Sequence, residues 1–173
     1  MNTRRRIIAT VIAVLSGVLP AMAAIRADGR APDFSLTDTQ GKTVTLSAMN
    51  GKVVFLDFWA SWCPPCRMSI PKVQQLHDRM KESGVVVIGI NVENNARAAA
   101  NFAKKERITY TIAAGDGKVE RDYRISSIPA FYIIGKDGKI LKKYEGYYPG
   151  MEKEWETVIK QALTANQKAT KGK

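Results

Sequence analysis

Two cysteines, Cys63 and Cys66, are the only thiols in a chain of 173 residues, and they stand two residues apart in Trp62-Cys63-Pro64-Pro65-Cys66. A disulfide stabilises mainly by restricting the unfolded chain, and its effect grows with the loop it closes, so this small ring contributes little as a staple. Its use lies in being made and broken, which is dithiol–disulfide exchange. Structural zinc would need about four protein ligands, and the chain offers two thiols and a single histidine, His77. Covalent haem attachment needs His directly after the second Cys, where Arg67 stands. No metal and no cofactor are therefore expected; two inert buried cysteines are the bland alternative.

Exchange requires one thiol of lowered pKa, because the thiolate is the nucleophile, and a helix N-terminus supplies partial positive charge and free N–H groups. The flanking residues provide that setting. Val53 to Phe58 reads as a buried strand, and Arg67 to Lys81, with apolar residues at Met68, Val73, Leu76 and Met80, reads as a helix. Cys63 then sits just outside the helix start, Pro64 and Pro65 occupy first-turn positions that need no N–H, and Cys66 lies one turn in. This places Cys63 as the exposed attacking thiol and Cys66 as the shielded resolving thiol. Asp57 interrupts the apolar strand; buried, its carboxyl has a raised pKa and can move the proton that Cys66 loses or gains. A solvated strand-end residue is the alternative.

The other elements frame this centre. Val85 to Asn91 is a second apolar strand, Asn95 to Arg107 a helix, Tyr110 to Ala113 a short strand and Gly117 to Tyr123 a short helix. Ala130 to Ile134 and Lys139 to Tyr144 flank Lys136-Asp137-Gly138, whose Asp-Gly step signals a hairpin. Met151 to Leu163 closes the domain as a helix burying Trp155, Val158, Ile159 and Leu163.

A hydrophobic fraction of 45% suits one core and one domain, placed at residues 24–165. Arg4, Arg5 and Arg6, the apolar run Ile7 to Leu19, Pro20 and Ala21-Met22-Ala23 read as a secretory signal peptide over residues 1–23, cleaved after Ala23. An uncleaved membrane anchor is the alternative. Either way the remainder is translocated. Loss of residues 1–23 lowers the formal charge of +11 by three, to +8, and part of that charge lies in a basic, disordered tail at 166–173 carrying Lys168, Lys171 and Lys173. An exported basic protein has little occasion to meet nucleic acid, so none is expected as a partner; attraction to anionic surfaces is the milder inference.

The run Asp57-Phe58-Trp59-Ala60-Ser61-Trp62-Cys63-Pro64-Pro65-Cys66-Arg67-Met68, with Pro71 beyond it, resembles the active-site segment of the thioredoxin superfamily. The resemblance implies an α/β thioredoxin-like fold: a central mixed sheet flanked by helices. It also implies a cis-proline at Ile128-Pro129 beside the disulfide, and a substrate-binding edge formed by Trp62, Pro64, Ile128 and Pro129. Read from sequence alone, Pro129 is an ordinary proline before a strand, for which trans is the default. The opening Ala31-Pro32-Asp33-Phe34-Ser35-Leu36, an N-terminal strand extension, and the helix–strand insertion from about Asn95 to Ala113 are similar to the exported branch typified by TlpA and ResA. One departure is Ser69, where several reductases of that branch carry Glu; Asp57 is the acid available in its place.

The resemblance implies a periplasmic reductase acting on protein disulfides and recharged by a membrane electron donor. Direction itself is set by reduction potential, which spans about −270 to −120 mV among such dithiols. Two other classes stay open. A peroxidase of the related peroxiredoxin group would carry Thr three residues before the attacking Cys, where Ala60 stands. A non-catalytic binding module on the same fold is the other, since fold does not dictate function.

Overall fold

A computed structural model of the chain describes residues 29–165. The signal segment and the basic tail expected at the two ends lie outside the described residues. Strand β1 (Ser35–Thr37) pairs antiparallel with β2 (Thr43–Thr45), and this ribbon precedes the central strand β3 (Val53–Trp59). Helix α1 (Pro64–Met80), strand β4 (Val85–Asn91), helix α2 (Ala96–Lys105), strand β5 (Thr111–Ala114) and helix α3 (Lys118–Asp122) follow. Strands β6 (Ala130–Ile134) and β7 (Ile140–Glu145) form the hairpin, and helix α4 (Met151–Ala165) ends the described chain.

The main sheet has the order β5-β4-β3-β6-β7, with β3–β4 and β4–β5 parallel and β3–β6 and β6–β7 antiparallel. It is the mixed sheet expected. Every residue of β3 is buried, as a central strand covered on both faces requires, which accounts for its unbroken apolar run apart from Asp57. Alternation along β3 divides the core. Phe55 and Trp59 pack with Cys66, Val73 and Leu76 of α1, Phe102 of α2 and Trp155 of α4. Val54, Leu56 and Phe58 face the opposite layer, where Leu36, Val44, Tyr123 and Tyr132 close the second half. The Tyr123 hydroxyl donates to the Pro32 carbonyl at 2.8 Å, tying the N-terminal extension to that layer.

Boundaries shift for local reasons. Helix α2 starts where the Asn95 side chain accepts from the Ala98 N–H at 3.0 Å, and it stops at Lys105, short of the expected Arg107, because Arg107 turns to φ 56°. Gly138 takes φ 79° in the hairpin turn, as an Asp-Gly step favours. Strand β2 has no counterpart among the elements expected from sequence. Three side chains differ in burial from their periodicity: Val158 and Leu163 are half-buried at the rim of the core, and Met68 is 57% exposed. Met68 lies on the first turns of α1 and faces solvent.

Candidate active site

Helix α1 begins at Pro64, and its N-cap is Cys63 (φ −85°, ψ 111°). The two prolines fill the first helical positions, where a missing N–H loses nothing. The Cys66 N–H donates to Cys63 Sγ at 3.3 Å, and the Arg67 N–H reaches the Cys63 carbonyl at 3.1 Å. A free helix donor therefore points at the first sulfur, the arrangement that favours a thiolate there. Cys63 and Cys66 are joined as a disulfide with Cα atoms 5.3 Å apart.

Cys66 is shielded, as expected. Cys63 is not the exposed residue predicted: in the disulfide it is only 2% accessible. Its sulfur is turned inward to Cys66 and lies 3.8 Å from the Ile128 carbonyl oxygen, while the neighbouring Trp62, 66% exposed, takes the outer position. Pro64 is exposed, Ile128 half-buried and Pro129 buried, and the Ile128–Pro129 peptide bond is cis. The turn that leads into β6 thus brings the Ile128 carbonyl to the disulfide from a position 65 residues along the chain.

Asp57 is fully buried on the β3 face that also carries Phe55 and Trp59, the face packed against α1. Neither carboxylate oxygen has a protein hydrogen-bond partner. Burial pushes its pKa up from 3.8 to about 8. Ser69, in the position where several reductases of the exported branch carry Glu, is fully buried and spends its hydroxyl on the Cys66 carbonyl at 2.9 Å. It holds the turn around Cys66 and offers no acid.

Sequence reasoning missed Glu93. Its carboxylate accepts from the Ser61 N–H at 2.7 Å, the Ser61 hydroxyl at 2.9 Å and Asn91 Nδ2 at 2.8 Å. Partial burial pushes the Glu93 pKa up, but these donors outweigh it and hold the carboxyl below its ordinary value. The residue two before Cys63 is thereby fastened to the end of β4. No sequence signal marks this, because Ser61 and Glu93 are 32 residues apart. Among the described residues no three His, Cys, Asp or Glu side chains gather to hold a metal.

Residues 27–143 match the AhpC/TSA family. The chain is 36% identical over 117 residues to a thiol-disulfide oxidoreductase ResA of Bacillus cereus, covering 67% of this chain and 68% of that protein. ResA of Bacillus subtilis is 32% identical over 134 residues, covering 77% and 75%. Among solved structures, a Chlorobium tepidum protein assigned as the thiol:disulfide interchange protein DsbE superposes with a TM-score of 0.73 at 36% identity, covering 78% of this chain and 95% of that one.

Proposed function

The chain belongs to the AhpC/TSA family and is a thiol-disulfide oxidoreductase, and we propose that it reduces protein disulfides outside the cytoplasm with Cys63 as attacking thiol and Cys66 as resolving thiol. The observation that carries these roles is the Cys63 sulfur at the N-cap of a 17-residue helix, accepting the Cys66 N–H. In the reduced protein that donor and the helix dipole favour the thiolate at Cys63 over Cys66.

The Cys63 thiolate attacks one sulfur of a substrate disulfide; a Cys63–substrate bond forms and the first substrate thiolate leaves. Asp57 accepts the Cys66 proton, and the Cys66 thiolate attacks Cys63 Sγ, releasing the second substrate thiolate. Substrate gains two electrons and the Cys63–Cys66 disulfide holds the oxidised state. The Ile128 carbonyl, 3.8 Å from the Cys63 sulfur, forms with Pro129, Trp62 and Pro64 the edge against which an extended substrate segment lies. Re-reduction falls to a membrane electron donor, because an oxidising compartment outside the cytoplasm does not itself keep thiols reduced.

Export rests on Arg4 to Arg6, the apolar run Ile7 to Leu19 and Ala21-Met22-Ala23. No helix among the described residues is long and apolar enough to cross a membrane. A peroxidase reading gains no support at Ala60, a buried methyl side chain with no hydroxyl to offer a peroxide. Insulin disulfide reduction set beside hydroperoxide turnover tests the reading: reduction that disappears in Cys63→Ala, with no peroxide consumed, is expected. Peroxide turnover without insulin reduction would overturn it.

A further inference from the structure

Eight buried side-chain atoms among the described residues have no protein hydrogen-bond partner, and five of them belong to one neighbourhood: both Asp57 oxygens, Trp59 Nε1, the Tyr110 hydroxyl and His77 Nδ1. Buried polar groups are almost always satisfied, and where protein supplies no partner, ordered water does. Such a concentration beneath the helix that carries the redox disulfide calls for a use.

These groups meet over Gly89. Strand pairing sets Gly89 directly beside Asp57. A Cβ at Gly89 would lie 3.0 Å from Trp59 Nε1 and 3.1 Å from the Tyr110 ring. Without a side chain, Gly89 lets the indole N–H, the Tyr110 ring and Ile112 Cδ1, 2.6 Å from the same point, close in on the strand next to Asp57. Tyr110 then leads outward, its ring centroid 6.1 Å from that of His77 on α1. The alignment is fixed by a neighbouring pair: Gln74 Nε2 donates to Thr109 Oγ1 at 2.7 Å and the Thr109 N–H donates to Gln74 Oε1 at 2.9 Å. One turn of α1 is thus fastened to the segment that carries Tyr110. Tyr110 is almost wholly buried, whereas His77 is only half-buried, so the series runs from core to surface.

The geometry points to a proton path from Asp57 to solvent by way of the Tyr110 hydroxyl, whose ring packs close on Gly89, and out through His77, with internal water bridging the gaps between these polar groups and Tyr110 and His77 acting as relays. This deepens the Asp57 assignment above and rests on it. One proton enters and one leaves: Asp57 passes the proton taken from Cys66 to the Tyr110 oxygen by way of water, Tyr110 releases its own towards His77 Nδ1, and His77 gives one to bulk solvent. No group is left with altered charge, and the two electrons stay with the sulfurs.

The path matters most where Asp57 starts out protonated. With its pKa near 8, Asp57 must lose a proton before it can accept one from Cys66 at neutral pH. Burial lowers the His77 pKa, with Asp78 on the same helix raising it, Lys81 just past the helix end lowering it and the Tyr110 ring facing it from the segment before β5; this keeps a neutral imidazole available to receive the proton. Burial, with the Asp57 charge adding to it, raises the Tyr110 pKa well above its ordinary value, so it relays as a neutral hydroxyl.

The test follows the two phases of nitrothiobenzoate release when reduced full-length protein meets 5,5′-dithiobis(2-nitrobenzoate): attack by Cys63, then resolution by Cys66. Tyr110→Phe and His77→Gln are each expected to leave the first phase unchanged and to slow the second by roughly tenfold at pH 7, a fraction of the 10²–10⁴ that acid–base groups contribute. The deficit should vanish by about pH 9, where Asp57 is already ionised, and added imidazole should restore His77→Ala at pH 7. Asp57→Asn/Tyr110→Phe should be no slower than Asp57→Asn alone, as members of one path are not additive. If Asp57→Asn slows resolution while both relay variants keep wild-type rates at pH 7, the path is overturned and the Asp57 role stands. If Asp57→Asn changes nothing, both fall. A slowing equal at pH 7 and pH 9 would mark Tyr110 and His77 as merely structural and would also overturn the path.

Discussion

Glu93 grips Ser61 twice, accepting its N–H at 2.7 Å and its hydroxyl at 2.9 Å, so the loop that presents Trp62 and Cys63 is fixed by a carboxylate from beyond the adjacent strand. Hydrogen bonds to a charged group contribute about 1.5–3 kcal/mol when buried and less when partly solvated. Glu93→Ala should therefore lower unfolding stability by about 1–2 kcal/mol at pH 7 and speed amide exchange at Ser61. The sign with pH follows from a folded pKa held below the ordinary carboxylate value. Stabilisation is present above that ordinary value and is lost as pH falls through the lower folded one. Urea melts of wild type and Glu93→Ala should converge in acid; a gap constant with pH would show that the charge is not what holds the loop.

Removing the resolving thiol should leave the attack intact. Cys66→Ala is expected to accumulate a mixed disulfide at Cys63 when the reduced protein is mixed with insulin, because the Cys63 sulfur and its helix-end setting survive. Cys63→Ala should form none, since Cys66 lies inside the first turn with no exposed surface. Intact mass under non-reducing conditions reads both outcomes. Adducts on Cys66 in place of Cys63 would reverse the assignment.

The parts of this site that sequence revealed share one property: their signal is local. Strands Val85–Asn91 and Ala130–Ile134 are continuous apolar runs buried on both faces, and such runs declare their own ends. Asp57 stands out because a charge inside such a run has few ordinary explanations. The Cys-Pro-Pro-Cys start of α1 carries its own cap and first turn. What escaped depends on partners far along the chain. The three residues of β2, of which only Val44 is buried, are too short to show a period. Met68 carries the right spacing for a core residue but faces solvent. Glu93 reads as one more loop acid until the fold brings Ser61 to it, and Tyr110 and His77 look unrelated until α1 lies across the segment before β5.

Gly89 offers a test of how tightly that region is packed. A Cβ there would stand 2.6 Å from Ile112 Cδ1, as well as touching the Trp59 indole and the Tyr110 ring, all within the buried core. Ile112 can shift somewhat, but the two rings have little freedom. Gly89→Ala should destabilise the fold by about 1–3 kcal/mol, the usual cost of overpacking, read as a lower urea midpoint with an unchanged slope. A midpoint equal to wild type would show that the space beside Asp57 is larger than these contacts imply.

Asp57 makes the protein's stability depend on pH in a direction opposite to that of a paired carboxylate. Folded, it keeps its proton to about pH 8, whereas its ordinary value is 3.8. Between those limits the native state binds the extra proton, so stability falls as pH rises; below 3.8 the cost is absent and above 8 it is complete. The slope for one group is about 1.4 kcal/mol per pH unit, which accumulates to several kcal/mol across the window. Asp57→Asn removes the titration while keeping the shape of the side chain. The variant should match wild type near pH 4, gain on it steadily through pH 5 to 8 and hold a constant lead above pH 9. Denaturant midpoints collected over that range on the oxidised proteins measure the difference directly. A lead that is flat from pH 5 to 9 would mean that Asp57 ionises without hindrance, and the buried acid could then no longer be the group that holds the Cys66 proton.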